Sequence, residues 1–107
     1  MSSEPKNRPA PLSVKALRAF VTRALEKGYY RESLHAAEGH LERNISLDDV
    51  IHGLERKDWT LAEAPNYDPE HGNWEYLIKT QDLDGNELHI KIAVQSQLNR
   101  LEVITRW

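Results

Sequence analysis

Residues 74–81 (WEYLIKTQ), 82–86 (DLDGN), 87–94 (ELHIKIAV), 95–100 (QSQLNR) and 101–107 (LEVITRW) run on from one another, and their alternation decides the fold. Trp74, Tyr76 and Ile78 alternate with Glu75, Leu77 and Lys79. Leu88, Ile90, Ile92 and Val94 alternate with Glu87, His89, Lys91 and Ala93. Leu101, Val103 and Thr105 alternate with Glu102, Ile104 and Arg106. Period two with β-branched and aromatic residues is the pattern of half-buried strands. Asp84-Gly85 can supply the positive φ of a tight turn, which predicts a hairpin between the first two strands. A second turn over residues 96–100 returns the third strand. The expected product is an antiparallel meander with one apolar and one polar face.

Upstream of the meander the period changes to that of helices. Ser13 is placed to cap a helix ending near Lys27, with Leu17, Phe20, Val21, Ala24 and Leu25 as its buried stripe and Gly28 as its stop. Tyr29-Tyr30-Arg31 then reads as a linker. Ser33 is placed to cap a second helix over residues 34–43, weakened by Gly39 in its interior. Ser46 followed by Asp49 resembles a capping box at the head of a third helix, whose apolar face is Leu47, Val50, Ile51 and Leu54. A short strand is expected within residues 59–63, and the breakers in residues 65–73 predict a loop. The expected fold is therefore α+β, with three N-terminal helices packed on one face of a four-stranded antiparallel sheet.

The chain has 107 residues, 29% of them charged, which bounds it to one small domain. Residues 1–11, with three prolines, read as a disordered tail, and residues 12–107 as a single α+β domain. Without cysteine there are no disulfides or thiolate metal sites. The N-terminus lacks the apolar core of a secretory signal, and no stretch approaches the ~20 apolar residues of a membrane span, so a cytoplasmic location is expected. Net charge is −3, but residues 1–31 carry +5 and residues 32–107 carry −8. Any basic footprint should therefore involve the first helix.

Five histidines are present: His35, His40, His52, His71 and His89. A helical metal site needs two His four apart, whereas His35 and His40 are five apart, about 140° round a helix. No metal or cofactor is expected. Residues 82–86 have some flavour of a calcium loop but lack its frame and terminal Glu. His35, at the head of the second helix, reads either as a capping-region histidine bonded to backbone or as a proton-transfer group, with Arg43 as a cation for a phosphate. On the polar face of the sheet, His89, Lys91 and Arg106 could together hold a phosphodiester, or form cross-strand ion pairs.

Ser33-Leu34-His35-Ala36, Glu42-Arg43-Asn44-Ile45-Ser46 and Asp49-Val50 together resemble the S-x-H-A … E-R-x-I-S … D-V signature of the DUF4258 family. The Tyr76-Leu77 strand, the Gly85 turn, the apolar strand over residues 88–94 and the closing Val103-Ile104-Thr105 match its later landmarks. Val14-Lys15-x-Leu17, the segment over residues 53–59, Trp74 and Ile90-Lys91-Ile92 look, more loosely, like the motility quorum-sensing regulator toxins. Both resemblances imply the RelE-like fold of small bacterial toxins. They imply an mRNA interferase-like endoribonuclease of a toxin–antitoxin system, with RNA and a cognate antitoxin as partners. Cleavage would be metal-independent, by attack of the ribose 2′-hydroxyl on the adjacent phosphate. His35 and Arg43 match signature positions and Thr105 the terminal-strand Thr, which makes these three the implied catalytic residues; His89, Lys91 and Arg106 are added as substrate-binding from sheet parity. Two departures stand out. Gly39 occupies the position where family members often carry Arg, and the chain is acidic overall. Both suit the alternative of a catalytically inactive protein- or RNA-interaction domain. Thr105 also falls on the buried parity of its strand, unless a bulge intervenes.

Overall fold

The computed structural model describes residues 10–33 and 45–106. In chain order the elements are helix α1 (Val14–Lys27), strand β1 (Tyr30–Glu32), helix α2 (Leu47–Glu55), and strands β2 (Thr60–Leu61), β3 (Asn66–Asp68), β4 (Asn73–Gln81), β5 (Glu87–Gln95) and β6 (Arg100–Arg106). A 3-10 turn, Ser96–Leu98, joins the last two strands.

The two helices form where capping and periodicity place them. Ser13 Oγ accepts the Ala16 N–H at 3.1 Å, and Gly28, at φ 74°, closes the other end of α1. The Ser46/Asp49 capping box is complete, with each side chain bonded to the other residue's backbone N–H. Leu17, Val21 and Ala24 of α1 and Val50 and Leu54 of α2 pack against Tyr76, Ile78, Leu88, Ile90, Ile92, Val94, Leu101 and Val103. These are the inward-facing residues of the three long strands, so both helices lie on one face of the sheet, as the alternation requires.

The helix expected over residues 34–43 lies outside the described residues, which contain two helices. The sheet departs from the expected four antiparallel strands, and with it from the RelE-like arrangement: it has six strands and is mixed. Its main path is β1-β6-β5-β4-β2, with β3 also paired to β4. Two segments expected to be irregular account for the extra strands. Tyr30–Glu32, which overlaps the expected linker at Tyr30 and Arg31, runs parallel to β6, with Tyr30 opposite Leu101 and Glu32 opposite Val103. Asn66–Asp68, within the expected loop, pairs with Asn73–Glu75 across a tight turn. Three-residue strands are too short to show a period, and what makes them strands is a partner elsewhere in the chain.

Trp59 is buried just before β2, and its indole N–H donates to Leu54 O at 3.2 Å. The Arg18 guanidinium lies 4.1 Å from the Trp59 ring centroid and donates to Lys57 O and Trp59 O. Arg18 therefore fastens α1 to the segment entering the sheet, and is less a part of any basic footprint than its charge suggests.

The β4–β5 turn forms as expected, with Gly85 at φ 85°. Asp82 Oδ1 accepts the N–H groups of Asp84 and Asn86, so this carboxylate shapes the turn. Asp49 links the turn to α2 by accepting the Leu83 N–H. Burial pushes the Asp49 carboxyl up, but the bonds it accepts from Leu83 and Ser46 outweigh this and leave it below the ordinary value.

Candidate functional site

The sheet face turned away from α1 and α2 carries the polar parity. Across β4 and β5 the pairs are Glu75–Ala93, Leu77–Lys91, Lys79–His89 and Gln81–Glu87. Side chains directly opposite one another have Cβ atoms about 5 Å apart, so each pair is a potential contact. Ala93 is buried here at 3% exposure because Glu75 and Glu102 flank its short side chain on the neighbouring strands.

The register of β6 changes the assignment of its last residues. Ile92 is opposite Val103, yet Lys91 is opposite Thr105, so Ile104 is an extra residue and the ladder has a bulge there. A one-residue insertion inverts the faces of everything beyond it. Thr105, on the buried parity by simple alternation, is turned to the outer face beside Lys91, and both are half-buried. Arg106, expected to bind substrate on that face, is turned into the core at 1% exposure. There its Nη1 donates to Glu32 and its Nε to Ile45 O at 3.0 Å. Arg106 is a structural residue, and its pairing with Glu32 fixes the parallel strand β1.

Two zones differ in charge along the outer face. Near the C-terminal ends of β4 and β6 lie Lys79, His89, Lys91 and Thr105. Glu87 lies between Lys79 of β4 and His89 of β5, 3.8 Å from Lys79 Nζ and 3.3 Å from His89 Nε2. Lys91 enters no ion pair among the described residues. Near the other end, Arg31 donates through Nε and Nη2 to Glu102, Gln95 donates to Glu102, and Arg100 donates to Gln95 at 2.7 Å. One carboxylate thereby holds one guanidinium directly and is joined to the second through Gln95. Sequence parity does not reveal Arg31, since its place on this face follows from the parallel pairing of β1.

His35 and Arg43 lie outside the described residues. Their stretch is flanked by Ser33 and Ile45, and both of these are fastened to the end of β6. Ser33 N–H donates to Val103 O and Ser33 Oγ to Ile104 O, each at 2.9 Å, while Ile45 O receives Arg106. The Ser33 hydroxyl thus donates to the bulged strand, while the helix it is expected to cap lies outside the described residues.

Among the described residues, one group of three potential metal ligands occurs, Asp68, Glu70 and His71, in the β3–β4 turn. Its geometry is that of a closed turn: Asp68 Oδ1 accepts the Glu70 N–H and Oδ2 lies 2.6 Å from His71 Nδ1. The hydrogen bond with Asp68, then its charge, raises the His71 pKa above the ordinary 6.5, and the same bond lowers that of Asp68 below 3.8. The histidine's contribution is present below 6.5 and is lost as pH rises through the raised value. The aspartate's is present above 3.8 and is lost as pH falls through the lowered value. The pair therefore favours the folded turn most fully between those limits. An NMR titration should place the His71 midpoint above that of an ordinary histidine and return it to normal in Asp68→Asn. An unchanged midpoint would show that the contact does not persist in solution.

No family model matches this chain, and neither a curated protein nor a solved structure matches it. No helix among the described residues is long and apolar enough to cross a membrane.

Proposed function

We propose that the chain is a metal-independent endoribonuclease of the toxin type, acting on RNA laid across the outer face of the sheet. The observation that carries this reading is the β6 bulge. It turns Thr105 out beside Lys91, where Ser33 and Ile45, the described neighbours of residues 34–44, are both bonded to the strand. The resemblance of residues 33–50 to the DUF4258 signature supports it from the sequence. The proposal rests on this face and not on a RelE-like sheet.

In the proposed reaction the ribose 2′-oxygen attacks the adjacent phosphorus and the bond to the 5′-oxygen breaks. The products are a 2′,3′-cyclic phosphate and a 5′-hydroxyl. One group must take the 2′-hydroxyl proton, another must protonate the leaving oxygen, and cations must meet the charge developing on the phosphate. His35 is assigned to proton transfer and Arg43 to the phosphate. Thr105 offers a hydroxyl to a phosphate oxygen, and Lys91 with His89 holds the flanking backbone. A protein of this class would be restrained by a cognate antitoxin.

Incubating the protein with RNA in excess EDTA should yield cyclic-phosphate ends, and His35→Ala and Arg43→Ala should each fall well below wild type. Wild-type rates in both variants would remove these residues from the site. A wild type that cuts no RNA would reject the reading.

One observation favours a second reading, a non-catalytic interaction domain. Glu75, Glu87 and Glu102 share the outer face with the cations, and Arg106, expected there, is turned into the core. That reading predicts no growth arrest on induced expression. Arrest relieved by co-expression of a neighbouring reading frame would count against it.

A further inference from the structure

At the end of the sheet where β4 begins and β5 finishes, a cavity of about 590 Å³ opens between the residues before α1 and the 3-10 turn. This lies within the range of about 300–1,000 Å³ for small-molecule sites. Its walls are of two kinds. Tyr67 and Trp74 meet edge to face, with ring centroids 5.2 Å apart, both half-buried on adjacent strands. Asn73 and Gln97, both amide residues, line the same space, as does Gln95, whose own amide is bonded to Glu102 and Arg100. Among the described residues nothing acidic lines it, and apart from the tyrosine hydroxyls His71 is the sole titratable side chain there.

Aromatic rings stack on flat π-systems, and amides offer a donor and an acceptor side by side, the pairing that the edge of a nucleobase presents. With few charges in the lining, the match is to the base of a nucleotide and not to its phosphate. Gln95 also connects the cavity to the outer face, because it belongs to the Arg31–Glu102–Gln95–Arg100 network there. Along β5, Gln95 is four residues from Lys91, about 13 Å at ~3.3 Å per residue. The rings of Tyr67 and Trp74 lie on the helix side of the sheet, so a single strand with its phosphate at Lys91 reaches them by passing round the end of β5, a path of a few nucleotides.

We infer that this cavity is a base-binding subsite for single-stranded RNA, where one nucleobase is held against Tyr67 and Trp74 and read by the neighbouring amides. The inference rests on the proposed function for its substrate class, and it adds a source of sequence preference that the cation-lined face lacks.

The test is equilibrium binding of four 2′-O-methyl homohexanucleotides, one for each base, whose blocked hydroxyls cannot attack. The wild-type protein should prefer one base over the others. Tyr67→Ala should weaken the preferred oligonucleotide about tenfold, in the range measured for loss of one base–aromatic stack. Gln97→Ala, an exposed substitution that does not threaten folding, should reduce the preference while the protein remains folded. Equal affinity for all four in the wild type, or an unaltered preference in both variants, would overturn the subsite. Base preference in a protein that cuts no RNA would uphold the subsite and reject the nuclease reading. Cleavage without base preference would do the reverse.

Discussion

Arg106→Ala is expected to destabilise the fold by about 3 kcal/mol, at the lower end of the ~3–5 kcal/mol seen when one partner of a buried ion pair is removed. The guanidinium is 1% exposed and meets Glu32, whose side chain is 22% exposed, so water relieves part of the penalty on the orphaned carboxylate. The variant also removes the bond from Arg106 to Ile45 O and weakens the attachment of β1. The Arg31–Glu102 pair provides the contrast. Arg31 is 53% exposed, and Arg31→Ala should cost less than about 1 kcal/mol. Urea unfolding of both variants separates the two cases. Combining Arg106→Met with Glu32→Leu should recover much of the loss, because apolar replacement removes the cost of desolvating the charges. Equal and small losses in Arg106→Ala and Arg31→Ala would mean that Arg106 is not held in the core.

Gly53→Val should cost about 3 kcal/mol, the upper part of the usual range for overpacking. Gly53 is buried on α2, and a Cβ built there lies 2.6 Å from Thr80 Cγ2 and 3.1 Å from Gln81 O. Helix propensity alone would make Gly53→Ala favourable by roughly 1 kcal/mol. The contact reverses that sign, since the obstructing atoms belong to a buried residue and a strand backbone. The same closeness lets Thr80 Oγ1 donate to Gly53 O at 2.8 Å. Thr80→Ser removes the obstructing methyl and keeps the hydroxyl, so it should rescue Gly53→Ala more than it helps Gly53→Val. A Gly53→Ala variant more stable than wild type would show that α2 can move off the sheet at little cost.

What the sequence made legible follows from how many residues each feature spans. β4 and β5 each run for nine residues in clear alternation around a turn with Gly85, and both formed as expected. Ser13, Gly28 and the Ser46/Asp49 box likewise marked their helix ends through local chemistry. β1 was hidden because its three residues become a strand through a partner some 70 positions away. The bulge at Ile104 was hidden for a different reason. Residues 101–106 alternate plausibly in either register, and a single inserted residue exchanges Thr105 for Arg106 on the outer face. Of the candidate site, His89 and Lys91 could be placed by parity because β5 is regular throughout. Arg31 and Arg100 reach that face through pairings that parity along one strand does not reveal.

The most direct test of the outer-face account is to titrate an uncleavable 2′-O-methyl RNA into isotopically labelled protein and map the amides that shift. Shifts at His89, Lys91 and Thr105 are the predicted result, weakened by Lys91→Ala. Shifts confined to the basic residues of α1, such as Lys15, Arg23 and Lys27, or no shifts at all, would contradict it.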